Sequence, residues 1–237
     1  MIALLRTGLA VLYLLVVVPP CALIAFPWTF ISGKIDFLYW LAIKLVRSGV
    51  RLIGVKIKVV GMEHVDPAGT YIFMSNHVSN MDPPILVPLI PRRTSLLGKK
   101  EVWRIPILAS ALNMADIVPV ERDNRDSAIQ SIRKAGEVMR QKINMTVYPE
   151  GTRSADGRLL PFKKGPFHLA METGFPVVPV TMLNTYEMMP RGSMACKSGT
   201  ATVVFHPPID PKDFSSREEL MQAVHDVINS ALPEDRR

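Results

Sequence analysis

The most apolar part of the chain lies at its N-terminus. Residues 7–33 contain no charged side chain, and a run of this length exceeds the roughly 20 residues that a helix needs to span a hydrocarbon core. Pro19 and Pro20 fall in the middle of the run, where proline removes a backbone donor and kinks a helix. A secretory signal peptide fits less well, because no small-x-small cleavage site follows the run. The pattern therefore predicts an apolar membrane helix with a kink near its centre.

A second apolar stretch, residues 35–55, has the pattern of an amphipathic helix. Lys44, Arg47 and Arg51 recur at spacings of three and four, which places these bases near one helical face. Such a helix lies in the membrane interface with its bases toward lipid phosphates. We predict that residues 1–55 form a membrane-anchoring helical pair, which is either monotopic or contains one span.

From residue 56 onward, short strand-like runs alternate with helical patterns. Strands are predicted at residues 56–60, 71–75, 95–99, 115–120, 145–149, 175–183 and 200–206. Helices are predicted from Pro83 onward with Asp82 as the N-cap, at 126–143, at 166–172, and from a capping box of Ser215 and Glu218 to about Leu232. This alternation predicts an α/β domain over residues 56–237, in which helices flank a mostly parallel or mixed central sheet.

Composition and charge narrow the class of partner. The chain has 237 residues, of which 48% are hydrophobic, and a formal net charge of +7, a balance that favours a membrane surface, a phosphorylated substrate or nucleic acid. Nucleic acid fits poorly, because the basic residues are scattered and no known binding motif accompanies them. The two cysteines form neither a disulfide framework nor a metal set. The sequence contains no Walker loop, nucleophile elbow, H-E-x-x-H or C-x-x-C motif.

The segment SNHVSNMDPP, residues 75–84, places a histidine and an aspartate directly after a predicted strand. One interpretation is structural, because aspartate before two prolines is a good helix N-cap and Asn and Ser suit a turn. The other is an active site built on His77 and Asp82. Residues five apart do not share a helical face, so this pair meets only if the residues between them form a turn. The segment alone leaves both interpretations open.

A second polar cluster also stands at the end of a strand. The segment YPEGTRS, residues 148–154, contains a glycine turn, and the carboxyl end of a strand is where open α/β sheets bind ligands. Arg153 adds a planar fork of donors that suits phosphate. Lys99, Lys100 and Arg122 closely follow strand-like runs as well. These cations are either solvated surface residues or parts of one site for a dianion.

Four segments occur in a fixed order along the chain: NHVSNMD at 76–82, the strand before Arg122, YPEGTRS at 148–154 and VVPV at 177–180. Together they resemble the motifs of the glycerolipid acyltransferases, in particular the 1-acyl-glycerol-3-phosphate (lysophosphatidic acid) acyltransferases. The first and third are the specific pair. The chain departs from the pattern where a glycine usual before the second motif is replaced, around residues 115–116, and at Tyr148, where phenylalanine is usual.

The resemblance implies acyl transfer from a thioester, acyl-CoA or acyl-carrier protein, to the sn-2 hydroxyl of 1-acyl-glycerol-3-phosphate, which gives phosphatidic acid. His77 would be the general base, and Asp82 would fix its tautomer and stabilise the imidazolium that forms. The acceptor would attack the thioester directly, without a covalent acyl-enzyme.

The resemblance also implies where the acceptor binds. Its phosphate would be held by Arg153, Lys100 and Arg122, together with Glu150, Gly151 and Thr152 of the third motif. No metal or cofactor is implied beyond the thioester co-substrate. The expected partners are lysophosphatidic acid, the acyl donor and an anionic membrane, but not nucleic acid, with the active site on the cytoplasmic face.

Two alternatives remain at this level. The same chemistry would serve another lysophospholipid or a lyso-aminolipid as acceptor. A catalytically silent membrane-binding protein that retains the fold is the alternative from a different class. Acyl-transfer assays across acceptors separate the first alternative, and a comparison with His77→Ala separates the second.

Overall fold

The structure of the protein is a computed structural model that describes residues 2–104, 106–120 and 125–237. Arg122 therefore lies outside the described residues. The strands are β1 (Val55–Val60), β2 (Ile72–Ser75), β3 (Thr94–Lys99), β4 (Val118–Val120), β5 (Asn144–Val147), β6 (Val177–Leu183) and β7 (Gly199–Phe205). The α-helices are α1 (Ile2–Ser32), α2 (Asp36–Leu52), α3 (Asp82–Leu86), α4 (Pro106–Met114), α5 (Arg125–Arg140), α6 (Lys164–Thr173) and α7 (Arg217–Ser230).

Within the described ranges, the seven strands form one sheet in the order β1-β7-β6-β2-β5-β3-β4. Neighbouring strands are parallel except for β6 and β7, which are antiparallel. The predicted fold class, a mixed and mostly parallel sheet flanked by helices, is confirmed. Because β2, β5, β3 and β4 are parallel neighbours, their carboxyl ends meet at one edge of the sheet.

The centre of the sheet is buried on both faces, as expected for parallel strands that are covered by helices on each side. Every residue of β2 and β5 is buried. Side chains alternate between the faces: Phe73 belongs to the core cluster that includes α2 and α3 residues, whereas Ile72 and Met74 belong to the cluster that includes residues of α5, α6 and α7. The hydrophobic pattern therefore sets both the strand positions and the layer to which each helix packs.

The first helix is continuous across its prolines. α1 runs through Pro19 and Pro20 without a break, although proline removes a backbone donor. Packing against α2 holds it on the N-terminal side of the prolines, where the Tyr13 hydroxyl donates to the carbonyl of Leu45 at 3.3 Å. On the other side of the prolines, Ala25 is completely buried. Tertiary contacts thus support α1 on both sides of Pro19 and Pro20.

The helical pair is packed onto the α/β body. Val50 of α2 lies in the core cluster beside β1 and β7, and the backbone nitrogen of Thr94 donates to the Tyr39 hydroxyl at 3.2 Å. The N-terminal part of α1 also contacts the body, because the backbone nitrogen of Cys196 donates to Thr7 Oγ1 at 3.0 Å. Sheet and helical pair therefore share one packed structure.

The outer surface of α1 is strongly apolar. Among the described residues, one helical segment, Leu5–Ser32, is long and apolar enough to cross a membrane, with a mean hydropathy of 2.6. Large apolar side chains are exposed along it, from Leu5 at 65% to Phe30 at 89% and Ile31 at 81%. Exposed apolar patches of this extent mark interaction or membrane surfaces. α1 is a candidate membrane anchor.

The C-terminal helix begins one residue later than predicted. Ser216, not Ser215, is the N-cap of α7, and its Oγ accepts from the backbone nitrogen of Glu219 at 3.2 Å. The Glu219 carboxylate accepts from the backbone nitrogen of Ser215 at 3.0 Å. The sequence SSREE offers the Ser-x-x-Glu spacing twice, and the predicted pair, Ser215 with Glu218, was wrong.

Candidate active site

The turn between β2 and α3 is organised by one buried carboxylate. Asp82 is completely buried, and its Oδ2 accepts three hydrogen bonds of 2.8 Å, from His77 Nδ1 and from the backbone nitrogens of Val78 and Ser79. Donors of this kind compensate the negative charge of a buried carboxylate. The turn thus brings together two residues that a helix would hold apart, and it fixes the ring of His77.

Asp82 does not cap the helix that it begins. It is the first residue of α3, and Met81 before it makes no side-chain cap hydrogen bond. The carboxylate faces back into the turn because its partners there are His77, Val78 and Ser79. Pro83 and Pro84 lack backbone N–H groups, so the first turn of α3 has few donors for a cap to satisfy. The predicted N-cap role of Asp82 was therefore wrong.

A tyrosine ring lies against the histidine. The rings of His77 and Tyr148 are stacked, with centroids 4.1 Å apart and planes at 23°. The Tyr148 hydroxyl and Asp82 Oδ1 are both buried without a hydrogen-bond partner among the described residues. Burial, and secondarily the negative charge of Asp82, raises the pKa of Tyr148 well above its ordinary value. The phenol thus remains neutral, and its ring restricts His77 on one face.

Glu150 connects the second polar cluster to the backbone of His77. Its Oε1 accepts from the His77 backbone nitrogen at 2.6 Å, and its Oε2 accepts from the backbone nitrogen of Leu160 at 3.0 Å. The backbone nitrogen of Ser154 donates to the His77 carbonyl at 2.9 Å. Both backbone groups of His77 are thereby bonded to residues 150–154. Glu150 is 1% exposed, and burial raises its pKa to about 8.

The position of Glu150 bears on the phosphate-binding role that the resemblance implies for it. A residue that contacts a substrate phosphate needs an accessible polar group, whereas both carboxylate oxygens of Glu150 bind backbone N–H groups inside the protein. A buried acidic group would also repel a phosphate dianion when ionised. Glu150 thus links the loop to the backbone of His77, and a direct contact with the acceptor phosphate stays a prediction.

The rest of the third motif forms a partly exposed turn beside the first motif. Gly151 has a φ of 72°, a conformation that favours glycine, and its nitrogen donates to the carbonyl of Tyr148 at 2.9 Å. Thr152 is exposed. Arg153 Nη1 donates to Oδ1 of Asn80, which lies in the turn between His77 and Asp82. Arg153 is therefore held next to the histidine turn, as the strand-end argument predicts.

Lys100, another of the predicted cations, lies further along the same edge of the sheet. Lys100 begins a 3₁₀ turn, Lys100–Arg104, directly after β3, and β3 is two positions from β2 in the sheet order. Arg122 follows β4 but lies outside the described residues. A shared phosphate site for Lys100, Arg122 and Arg153 remains a prediction.

Sequence reasoning recognised the turn but not how it is tied to β6 and to the loop after it. Asn76 is 1% exposed, and its amide makes two hydrogen bonds with the backbone of Met182, donating at 3.0 Å and accepting at 2.7 Å. Ser79 Oγ donates to the carbonyl of Met189 at 2.8 Å. The signal available in the sequence was a run of amide and hydroxyl side chains at a strand end, which does not reveal its partners.

The geometry defines the class of site. A histidine whose Nδ1 is bonded to a buried carboxylate has its tautomer fixed, which leaves Nε2 to accept a proton from a substrate. The His77 side chain is 17% exposed, and the guanidinium of Arg153 is anchored on the same turn. No cluster of three metal-ligating side chains occurs in the part of the chain that the structure describes. This is an α/β fold with a histidine–carboxylate pair at the carboxyl ends of its parallel strands, an arrangement that is able to act as a general base.

Comparison with known proteins agrees with this class. The family model described as Acyltransferase matches residues 56–183. A 1-acyl-sn-glycerol-3-phosphate acyltransferase of Limnanthes douglasii is 34% identical over 214 residues, covering 89% of this chain and 75% of the relative. One from Borreliella burgdorferi is 31% identical over 189 residues, covering 79% and 76%. The human alpha form is 29% identical over 208 residues, covering 80% and 72%.

A solved structure extends the likeness to almost the whole chain. The crystal structure of the 1-acyl-sn-glycerophosphate (LPA) acyltransferase PlsC from Thermotoga maritima is similar with a TM-score of 0.78 and 28% identity. The alignment covers 96% of this chain and 95% of that one. The chain belongs to the acyltransferase family and is an enzyme of the O-acyltransferase class. The resemblance inferred from its motifs is confirmed.

Proposed function

We propose that the protein transfers an acyl group from acyl-CoA or acyl-carrier protein to the sn-2 hydroxyl of 1-acyl-glycerol-3-phosphate. The product is phosphatidic acid, an intermediate of phospholipid biosynthesis. The names of its relatives support the acceptor. The observation that carries the chemistry is the hydrogen bond of 2.8 Å between His77 Nδ1 and Asp82 Oδ2, because it prepares the histidine to act as a base.

In the proposed reaction, His77 Nε2 takes the proton of the acceptor hydroxyl while the oxygen attacks the thioester carbonyl. An alcohol is a poor nucleophile at neutral pH, and a positioned general base contributes about 10²- to 10⁴-fold. The Asp82 carboxylate stabilises the imidazolium. The tetrahedral intermediate then loses its C–S bond, and the imidazolium returns the proton to the leaving thiolate. The atoms balance without an acyl-enzyme.

The stacked ring of Tyr148 fits the same step. An imidazolium facing an aromatic ring is attracted by the negative face of that ring. The centroid distance of 4.1 Å from His77 is within the range of such contacts. The charged form of His77, which proton transfer produces, thereby gains more from Tyr148 than the neutral form does. Such a difference between states lowers a barrier.

Arg153 is the proposed anchor for the acceptor phosphate. Its guanidinium binds phosphate as a planar fork, and its backbone neighbour Ser154 is bonded directly to the His77 carbonyl. A phosphate held at this point places the sn-2 hydroxyl near the base, which turns binding energy into correct orientation. Thr152 and Gly151 offer the phosphate an exposed turn. Lys100 adds positive charge further along the sheet edge, and Arg122 is the third cation proposed for this site.

The lipid acceptor is proposed to reach the site from a membrane surface. α1 contacts the body or α2 at Thr7, Tyr13 and the buried Ala25. Because α1 is attached to the body through Thr7 and to α2 through Tyr13 while its outer surface is exposed and apolar, we propose that it lies in the interface with its apolar face inserted. The net charge of +7 favours the anionic cytoplasmic leaflet, which would place the active site on that face.

The test is an acyl-transfer assay with purified protein, 1-acyl-glycerol-3-phosphate and each donor in turn. His77→Ala is expected to lower kcat about 10²- to 10⁴-fold with an unchanged melting temperature. His168→Ala on the exposed face of α6 is the matched control and should leave the rate unchanged. Arg153→Ala is expected to raise the acceptor KM, and to do so only for acceptors that carry a phosphate.

Two results would contradict the proposal. Wild-type activity in His77→Ala would show that His77 is not the general base. Activity confined to phosphate-free 1-acylglycerol would show that Arg153 does not bind the acceptor phosphate. Activity on another lysophospholipid in place of lysophosphatidic acid would keep the mechanism and change the acceptor.

A further inference from the structure

The C-terminal segment, residues 233–237, lies across the loop that follows the third motif, residues 154–160. The backbone nitrogen of Leu159 donates to the carbonyl of Arg236 at 3.0 Å. The side chain of Arg236 reaches the same loop, because its Nη1 donates to the carbonyl of Asp156 at 2.7 Å. One residue far along the chain thus holds the loop through both its backbone and its side chain.

The guanidinium of Arg236 is itself fixed from the other side. Its Nη2 donates to Oε1 of Glu187 at 2.7 Å, and its Cζ lies 4.8 Å from the ring centroid of Tyr186. The Tyr186 hydroxyl donates to the carbonyl of Ala155 at 2.9 Å. Arg236 and Tyr186 therefore bind the loop at two adjacent residues, Asp156 and Ala155. Both side chains come from parts of the chain outside the loop.

The fit around the guanidinium is close. Gly157 has a φ of 83°, and a Cβ at this position would lie 2.3 Å from Arg236 Nη1 and 2.9 Å from Cγ of Tyr186. The loop consequently passes directly beneath the Arg236 side chain, which only a glycine permits. The side chain of Arg236 is 25% exposed. The Arg236 side chain therefore occupies a defined position and does not make a loose surface contact.

The loop that Arg236 and Tyr186 bind also holds the turn that contains His77. At one end of the loop, Ser154 donates to the His77 carbonyl. At the other end, Leu160 donates to Glu150 Oε2, and Oε1 of the same carboxylate accepts from the His77 backbone nitrogen. Arg236 binds the loop between these two points. A displacement of the loop would therefore be transmitted to both backbone groups of His77.

We propose that Arg236 is a positioning residue for His77: by holding residues 156–159 in place, it sets the backbone that orients the base toward the acceptor. The inference rests on the proposed function, since it assigns a part in that reaction. An ion pair with a partly exposed partner contributes little to stability. A small misplacement of a catalytic group, by contrast, lowers the rate by as much as about 10²-fold. The effect of Arg236 is thus on the catalytic rate more than on folding.

The experiment compares Arg236→Ala with Arg237→Ala in the full-length protein. Arg237→Ala is a matched control, because it removes the same charge one residue away. The guanidinium of Arg237 binds the carbonyls of Leu232 and Ser230 at the end of α7 and not the loop. Arg236→Ala is expected to lower kcat roughly tenfold or more with little change in either KM. Arg237→Ala is expected to retain wild-type kcat. Arg236→Lys, which keeps the charge but not the two-pronged contact, should fall between wild type and Arg236→Ala.

Amide hydrogen exchange provides a readout that does not depend on activity. In Arg236→Ala, the amides of Leu159, Leu160 and His77 are expected to exchange faster, while those of β2 and β5 keep their protection. Equal kcat for the alanine variants at positions 236 and 237, or faster exchange spread over the whole sheet, would overturn the positioning role. Absence of acyl transfer in the wild type, with the local exchange effect intact, would instead remove the proposed function.

Discussion

At the scale of single residues, Asp82 and Tyr148 form an unusual environment for a histidine. One carboxylate oxygen accepts three hydrogen bonds, whereas the other, like the Tyr148 hydroxyl, is buried without a partner in the described part of the chain. An unsatisfied buried polar group costs about 1–3 kcal/mol. The ring of Tyr148 is thus useful to His77, while its hydroxyl is a source of instability.

Two substitutions at Tyr148 separate the ring from the hydroxyl. Tyr148→Phe keeps the stacked ring and removes the unpaired hydroxyl, so it is expected to raise the free energy of unfolding by about 1 kcal/mol with kcat within about twofold of wild type. Tyr148→Leu removes the ring and is expected to lower kcat roughly tenfold or more. Urea denaturation and steady-state kinetics measure the two effects. A large loss of kcat in Tyr148→Phe would show that the hydroxyl has a catalytic part.

The buried carboxyl of Glu150 predicts a pH dependence of stability. Its pKa is raised from 4.5 to about 8, chiefly by burial. Between these values the folded protein binds a proton that the unfolded chain has released. The free energy of unfolding therefore falls as pH rises from about 4.5 to about 8, by up to about 1.4 kcal/mol per pH unit, and this contribution is constant above pH 8.

The measurement compares wild type with Glu150→Gln by urea denaturation at several pH values. Glutamine does not titrate, and its amide nitrogen cannot accept from either backbone N–H, so the variant is expected to be less stable at pH 5. The difference in the free energy of unfolding between the variant and wild type should become smaller as the pH is raised to 8. A difference that is constant over this range would contradict the raised pKa of Glu150.

At the scale of elements, local capping interactions decide where a helix begins. The first turn of α7 allows a direct test of this. Ser216→Ala removes the cap of the Glu219 backbone N–H and is expected to lower the free energy of unfolding by about 1 kcal/mol. Ser215 interacts with Glu219 through its backbone nitrogen, which alanine retains, so Ser215→Ala should have little effect. The opposite ranking of the two variants in thermal denaturation would restore Ser215 as the cap.

Element positions followed from hydrophobic pattern, whereas several contacts between elements did not. The sequence predicts β2 and β5 and the polar segments at their carboxyl ends, because burial and turn chemistry are local. The sheet order that places β5 beside β2 depends on long-range pairing. The burial of Glu150 depends on that order and on Leu160, ten residues further on. The sequence identifies Glu150 only as a member of a polar motif, whereas the structure also shows that it is buried and bonded to the backbone of His77 and Leu160.

At the scale of the whole molecule, the apolar helix and the active site belong to one body. The loop of residues 188–198 contacts Ser79 through Met189 at one end and Thr7 of α1 through Cys196 near the other. α1 is therefore packed against the same loop that supports the histidine turn. This arrangement suits the proposed reaction, because an α1 bound to the membrane would fix the site relative to the lipid surface.

The final prediction tests whether α1 is the membrane-binding surface. Phe30 and Ile31 are 89% and 81% exposed, so Phe30→Asp with Ile31→Asp should leave the fold intact. Removing two large apolar side chains from the lipid, at about 1.5–3 kcal/mol each, is expected to weaken binding at least about a hundredfold.

Co-sedimentation with vesicles of phosphatidylglycerol and phosphatidylcholine measures the effect. Met194→Asp is the control, because Met194 is 78% exposed but belongs to the loop that contacts Thr7, about 36 Å along α1 from Ile31. This variant should bind vesicles as the wild type does. Equal losses of vesicle binding in the Phe30 and Ile31 double variant and in Met194→Asp would mean that the exposed apolar end of α1 is not the part that inserts. The interfacial placement of this helix would then be wrong.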